Sequence, residues 1–187
     1  MNERLKLLLQ DLRDLHSYLR KETYDKYKRI NPFYEDLFEF KERGEFWSAH
    51  KDVTIYNSAT VSGDVAIGEK TWVGPFCSLD GSGGLKIGSN CSISLGVQIL
   101  THDSVKWALS GGKNPYERAP TSIGNNCFIG TYAVITRGVT LGDRCVVGAH
   151  SFVNKSFESN AIIAGVPARR IGTVIQHADD SIELKYD

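Results

Sequence analysis

The chain has 187 residues, 41% of them hydrophobic, enough to bury the core of one main domain with an appendage. Its 22 Lys and Arg balance 22 Asp and Glu, so there is no basic field to recruit nucleic acid or an anionic membrane. No run of about 18 apolar residues occurs, so membrane insertion is not expected; the N-terminus, with acids among its leucines, is unlike a secretory signal, and the expected location is cytoplasmic.

Residues 1–50 are expected to form a small helical cap. Leu5, Leu8, Leu9, Leu12, Leu15 and Leu19 step by three and four, one face of an amphipathic helix. Asn31-Pro32 breaks that pattern and is expected to open a second helix, with Asn31 as cap and Pro32 at the first helical position. Phe33, Leu37, Phe38 and Phe40 would be its apolar face and Gly44 its end. Such a segment covers the end of whatever follows, or helps to wall an acceptor pocket.

From about residue 53 to 166 an aliphatic residue recurs every six positions: Ile55, Val61, Ile67, Val73 and Leu79, then Ile87, Ile93 and Ile99, then Ile123, Ile129, Ile135, Leu141, Val147 and Val153. Four positions after most of these stands a small residue, such as Ala59, Thr71, Ala133 or Ser151. A fixed short period predicts a parallel β-helix, in which six residues make a strand and a corner and three hexapeptides make one triangular coil. Cys77, Cys91, Cys127 and Cys145 all occupy the small position and no pair has C-x-x-C spacing, so they are read as buried, reduced and structural.

Two interruptions break the register. Residues 79–87 hold two extra residues, a bulge at one corner. A longer insertion from His102 to Pro120 separates Ile99 from Ile123, and a loop of that length in a regular solenoid is expected to be functional. The expected organisation is a cap over 1–50, a β-helix over 51–172 with the extruded loop at about 101–121, and a polar tail over 173–187.

These features resemble the hexapeptide-repeat acyltransferases, and particularly the sugar O-acetyltransferase branch that includes galactoside and maltose acetyltransferases. The resemblance covers residues 53 to about 172 and is most specific in Ile99-Leu-Thr-His102-Asp at the start of the loop, Ser122-Ile-Gly-Asn-Asn-Cys-Phe-Ile-Gly130 after it, and Gly165-Val-Pro-Ala-Arg169 at the end of the helix. The N-terminal 50 residues do not match that branch's cap. The resemblance implies a left-handed parallel β-helix, acetyl-CoA as co-substrate, a sugar acceptor, and a homotrimer with three sites between subunits. It implies His102 as the general base. For the donor it implies Thr131, Ala149, Asn154 and Lys155, with Arg169 at the nucleotide phosphates.

The chemistry agrees with such a base. A sugar hydroxyl is a poor nucleophile at neutral pH, and imidazole titrates near the working range, so it can accept the proton as attack begins. The thioester is already activated, so direct transfer needs only alignment and a donor to the developing oxyanion. Trp107 in the loop would stack on a sugar ring, or would anchor the loop on a neighbouring subunit. Asp80, at the bulge, would accept hydrogen bonds from the acceptor's hydroxyls, the alternative being a solvated turn carboxylate. His102 would otherwise be a surface histidine held by Asp103; His16, His50, His150 and His177 lack a comparable context. Two other enzyme readings stand beside O-acetylation: acetylation of an amino group on a nucleotide-linked sugar or on serine, and a three-histidine zinc carbonic anhydrase, for which closely spaced repeat histidines are lacking. A non-catalytic sugar-binding scaffold is the reading of another class. Polysaccharide decoration is expected as the biological role by family analogy alone.

Overall fold

In the computed structural model, which describes residues 2–48 and 52–187, most hexapeptides are a two-residue strand followed by a corner. His50 lies outside the described residues. Parallel partners such as Thr54 and Trp72, or Phe128 and Val146, stand 18 residues apart, so three hexapeptides close one coil of a left-handed parallel β-helix. The first face stacks Ile55, Val73, Ile93, Ile129, Val147 and Ile163 in register. The second stacks Leu79, Ile99, Ile135 and Val153, and the third Ile67, Ile87, Ile123 and Leu141. All of the aliphatic repeat residues are buried except the half-buried Val61. Their burial supplies the main driving force, roughly 1.5–3 kcal/mol for each side chain.

The small positions line the inner corners. Cys91, Cys127 and Cys145 stack on successive coils, and each thiol donates to a backbone carbonyl one coil further on: Gly124 at 3.1 Å, Gly142 at 3.2 Å and Glu158 at 3.3 Å. All four cysteines are free and buried. Burial pushes the Cys77 thiol up to about 11, so it packs rather than reacts.

The first coil would expose an open strand edge, and side chains of the N-terminal segment cover it. Helix α1 spans Glu3–Tyr27, a single turn α2 spans Phe33–Asp36, and α3 spans Phe40–Trp47. The expected second helix is therefore split. Asn31 does not cap it but donates from Nδ2 to Asp36 Oδ1, and Pro32 takes the cap position. The Glu35 carboxylate accepts the backbone N–H groups of Asn57 and Ser58 at 2.9 and 2.7 Å. From α3, Arg43 donates to the Tyr56 and Asn57 carbonyls and Trp47 Nε1 to the Val65 carbonyl. Gly44 does not end α3; it is buried inside it. A Cβ there would sit 1.9 Å from the Val53 carbonyl oxygen, so glycine is what lets the helix lie on the first strand. Gly44→Ala should destabilise the protein by about 2 kcal/mol or more, read as a lower urea midpoint at unchanged slope.

The far end also differs from the expectation. Residues 173–187 are not a polar tail: after Ala161–Gly165 the chain reverses at Val166-Pro167, and Ala168–Gln176 and Ile182–Tyr186 extend the first face as antiparallel strands. The expected boundary at 172–173 falls inside the first of them. Polar side chains stood on these strands because one face of an end hairpin stays in water.

Candidate active site at the loop base

The corner between the second and third faces carries both interruptions. On one coil it is the bulge 80–84; on the next it is the extruded loop, which doubles the spacing of coil partners to 36 residues between Ser92 and Phe128. The loop is ordered by its own stem. His102–Asp103 pairs antiparallel with Glu117–Arg118, and a short helix, α4, spans Val105–Leu109.

Stacking of the two coils puts Asp80 beside Thr101 and His102. Asp80 is only 8% exposed, and its Oδ2 accepts from Thr101 N at 2.8 Å, from Thr101 Oγ1 at 3.0 Å and from His102 Nδ1 at 2.6 Å. Its Oδ1 accepts from Ser82 N at 3.0 Å. Burial alone would push this carboxyl up. The backbone donors of Ser82 and Thr101, joined by His102 and the Ser82 hydroxyl, outweigh it and hold the group well below the usual carboxylate range. Asp80 is therefore not a solvated turn carboxylate: both of its oxygens accept hydrogen bonds from the protein. Gly83 completes the support, its N–H donating to Thr101 Oγ1 at 2.8 Å, in a position where a Cβ would meet the Thr101 carbonyl oxygen at 2.5 Å.

A carboxylate only accepts, so Nδ1 of His102 carries a proton directed at Asp80, and in the neutral imidazole the lone pair is then on Nε2. The Ser82 hydroxyl lies 3.0 Å from the same Nδ1. The imidazole is thus fixed in tautomer and direction by Asp80, not by Asp103, and its side chain remains 37% exposed. This is how a histidine is arranged to accept a proton at Nε2 and return it.

Asp103 turns the other way. Arg137, on the coil above, donates from Nε to Asp103 Oδ2 at 2.5 Å and from Nη2 to Glu117 Oε2 at 2.9 Å, tying both strands of the stem to the helix body. Lys106 also reaches Glu117, at 2.7 Å. The Arg137 guanidinium beside Asp103 keeps that carboxyl below its ordinary range. Trp107 meets Tyr116 edge-on at 5.5 Å, and Tyr116 lies stacked 6.1 Å from His102, so aromatic rings lead from the loop helix to the imidazole. Ser82, Thr101, Tyr116 and Arg137 were not singled out by sequence. The one visible hint was the Thr immediately before His102; the others are distant in the chain.

Residues 120–155 match the family described as "Bacterial transferase hexapeptide (six repeats)". This is the longest uninterrupted run of the repeat. Galactoside O-acetyltransferase of Escherichia coli (strain K12) is 32% identical over 125 residues, covering 56% of this chain and 62% of that protein. A protein named "Putative colanic acid biosynthesis acetyltransferase WcaF", also of Escherichia coli (strain K12), is 32% identical over 122 residues, covering 63% of this chain and 64% of it. The chain thus spans less than two thirds of the length of either relative. Among solved structures, a mutant of AntD, an N-acyltransferase from Bacillus cereus, in complex with dTDP and Coenzyme A, superposes with a TM-score of 0.60 at 26% identity, covering 66% of this chain and 71% of AntD.

The chain carries the hexapeptide repeat of that family over residues 120–155.

Among the described residues, the remaining candidates do not form one cluster within a single chain. Thr131 and Ala149 stack at the corner after the first face, where His150 N donates to the Thr131 carbonyl at 2.9 Å. Asn154 and Lys155 occupy the corner after the second face, two coils beyond the loop, with Lys155 Nζ 5.3 Å from the Phe157 ring centre. Arg169 lies in the closing hairpin, exposed, with Nη1 on the Ala168 carbonyl. The second face separates the two corners.

Removing Arg137 tests the stem. Arg137→Gln should leave Asp103 without its cation and Glu117 with Lys106 alone, speed proteolytic cutting between residues 104 and 116, and raise the acceptor KM roughly tenfold while moving kcat less. Unchanged cutting and kinetics would show that Arg137 does not set the loop.

Proposed function

We propose that this chain transfers an acetyl group from acetyl-CoA to a hydroxyl of a sugar or sugar-containing acceptor, with His102 as the general base. The observation that carries the reading is the Asp80–His102 pair at 2.6 Å, which leaves Nε2 open at the root of the extruded loop. The acceptor hydroxyl gives its proton to Nε2 as its oxygen bonds to the thioester carbonyl carbon. The resulting oxyanion collapses, the C–S bond breaks, and the departing thiolate takes the proton back from the imidazolium. No covalent enzyme intermediate is required.

Several features support the remainder. The relatives' names give acetyl transfer to a galactoside and a colanic acid role, and the solved neighbour holds Coenzyme A. Trp107 and Tyr116 offer ring faces for a pyranose. Lys155 and Arg169 bring positive charge for the donor's phosphates. Thr131, Ala149 and Asn154 complete the proposed donor set, while Asp80 is assigned to hold His102 instead of the acceptor. A pocket for both substrates then requires a second copy. Phe76, Phe128, Tyr132 and Phe152 are large side chains left exposed around one corner, and they fit a parallel homotrimer with sites between subunits. No described helix is long and apolar enough to cross a membrane, and we place the enzyme in the cytoplasm, where acetyl-CoA is made.

The solved neighbour is an N-acyltransferase bound to dTDP, and this favours a second reading, N-acetylation of a nucleotide-linked amino sugar. Thiol release from acetyl-CoA over free sugars, amino sugars and nucleotide sugars separates the two. Release with hydroxyl acceptors supports O-acetylation; release confined to amino acceptors overturns it.

A further inference from the structure

Helix α1 is 25 residues long, about 37 Å, and none of its residues is buried. Among the described residues, its second half holds the side-chain contacts with α2 and α3: the His16 ring lies 4.8 Å from Phe33, Thr23 Oγ1 donates to Asp36 at 3.0 Å, and Lys26 meets Glu39 at 2.6 Å. Before His16, the side-chain hydrogen bonds among the described residues are internal to the segment: Asn2 with Leu5, Glu3 with Lys6, and Gln10 with Asp14. Three free helical turns are marginal in water unless an apolar face is covered. That face exists. Leu5, Leu8, Leu9, Leu12 and Leu15 are between 36% and 52% exposed on one side of the helix.

Their spacing says what covers them. Leu5, Leu8, Leu12, Leu15 and Leu19 alternate steps of three and four, the seam of a heptad in which each leucine packs into a hole of a like helix. The next two seam positions are Glu22 and Lys26, so the leucines stop where α2 begins to cover α1. In a parallel alignment Asp11, beside the seam, faces His16 of the second helix, a carboxylate opposite an imidazole. The free turns carry Arg4, Lys6 and Arg13 against Glu3, Asp11 and Asp14. That balance lacks the cationic excess that draws an amphipathic helix to an anionic membrane. Five leucines of about half exposure cover less than the roughly 800 Å² per partner of a standard interface, so this seam adds to an assembly held elsewhere.

We propose that the N-terminal half of α1 packs against α1 of a second copy of this chain, with the leucine seam as the contact. The second copy rests in part on the trimer reading above, and the test keeps the two apart. Full-length Leu12→Cys places a thiol on the seam and Gln10→Cys places one on the opposite face; the four native thiols are buried. After copper-phenanthroline oxidation, non-reducing electrophoresis should show at least tenfold more covalent dimer for Leu12→Cys than for Gln10→Cys, and Leu8→Glu added to Leu12→Cys should abolish it. Sedimentation gives the assembly mass independently. A trimer without selective cross-linking overturns the α1 contact and leaves the trimer. Selective cross-linking of a chain whose body sediments as a monomer or dimer supports the α1 contact and overturns the trimer. Helicity gained only on anionic phosphatidylserine vesicles, with no cross-link, overturns the proposal in favour of a lipid surface.

Discussion

His102→Ala is expected to lower kcat/KM for a hydroxyl acceptor by about 10²- to 10⁴-fold, the range a positioned general base contributes. The side chain is partly exposed and its loss leaves no core cavity, so the variant should keep the wild-type urea midpoint within about 1 kcal/mol. Because the base acts on the proton of the attacking hydroxyl, the loss should appear in kcat, with the KM for acetyl-CoA nearly unchanged. An already deprotonated amine needs the base less, so the same substitution should cost an amino acceptor much less. Kinetics with both acceptor classes on a folded variant decide the matter. Equal rates for wild type and variant would remove His102 as the base.

Asp80→Asn should damage both activity and stability, and it separates the orienting role from a substrate-binding one. The amide cannot accept from His102 Nδ1 and from the Thr101 and Ser82 donors through two oxygens, so the imidazole loses its enforced tautomer. We expect kcat to fall about 10²-fold or more while the acceptor KM holds. A direct acceptor ligand would instead raise that KM. The stability cost comes from hydrogen bonds to a charged, buried acceptor, about 1.5–3 kcal/mol each before any rearrangement. Since the native carboxyl titrates below its unfolded value of about 3.9, its contribution is complete above that pH and is lost as pH falls through the native value. The stability gap between wild type and Asp80→Asn should therefore be widest near neutral pH and narrow steadily below about pH 4. Urea midpoints at pH 7, 4 and 3 measure it, and a gap that stays constant would mean that Asp80 is not held ionised.

Period and composition of the chain determined the fold. A six-residue repeat admits few structures, and its aliphatic positions are the ones buried, because each coil places the same position over the same face. The loop was legible as a break in that period, and His102 as the histidine at its base. Gly44 and the residues after 172 were misread for a local reason: a glycine reads as a helix stop, and polar alternation as a tail, until the surface they pack on is known.

Only the tertiary structure decided the site's wiring. Asp80 and His102 are 22 residues apart, and Arg137 lies 34 residues from Asp103. Nothing in the intervening sequence announces either pairing. They meet because a coil of the helix returns the chain to the same corner one strand spacing higher, so that a bulge, a loop base and a plain corner from three successive coils become neighbours. Repeat period is a property of local sequence and is written there; which corner residues touch depends on how many residues each interruption adds before the coil closes, and that is settled only when the coils stack.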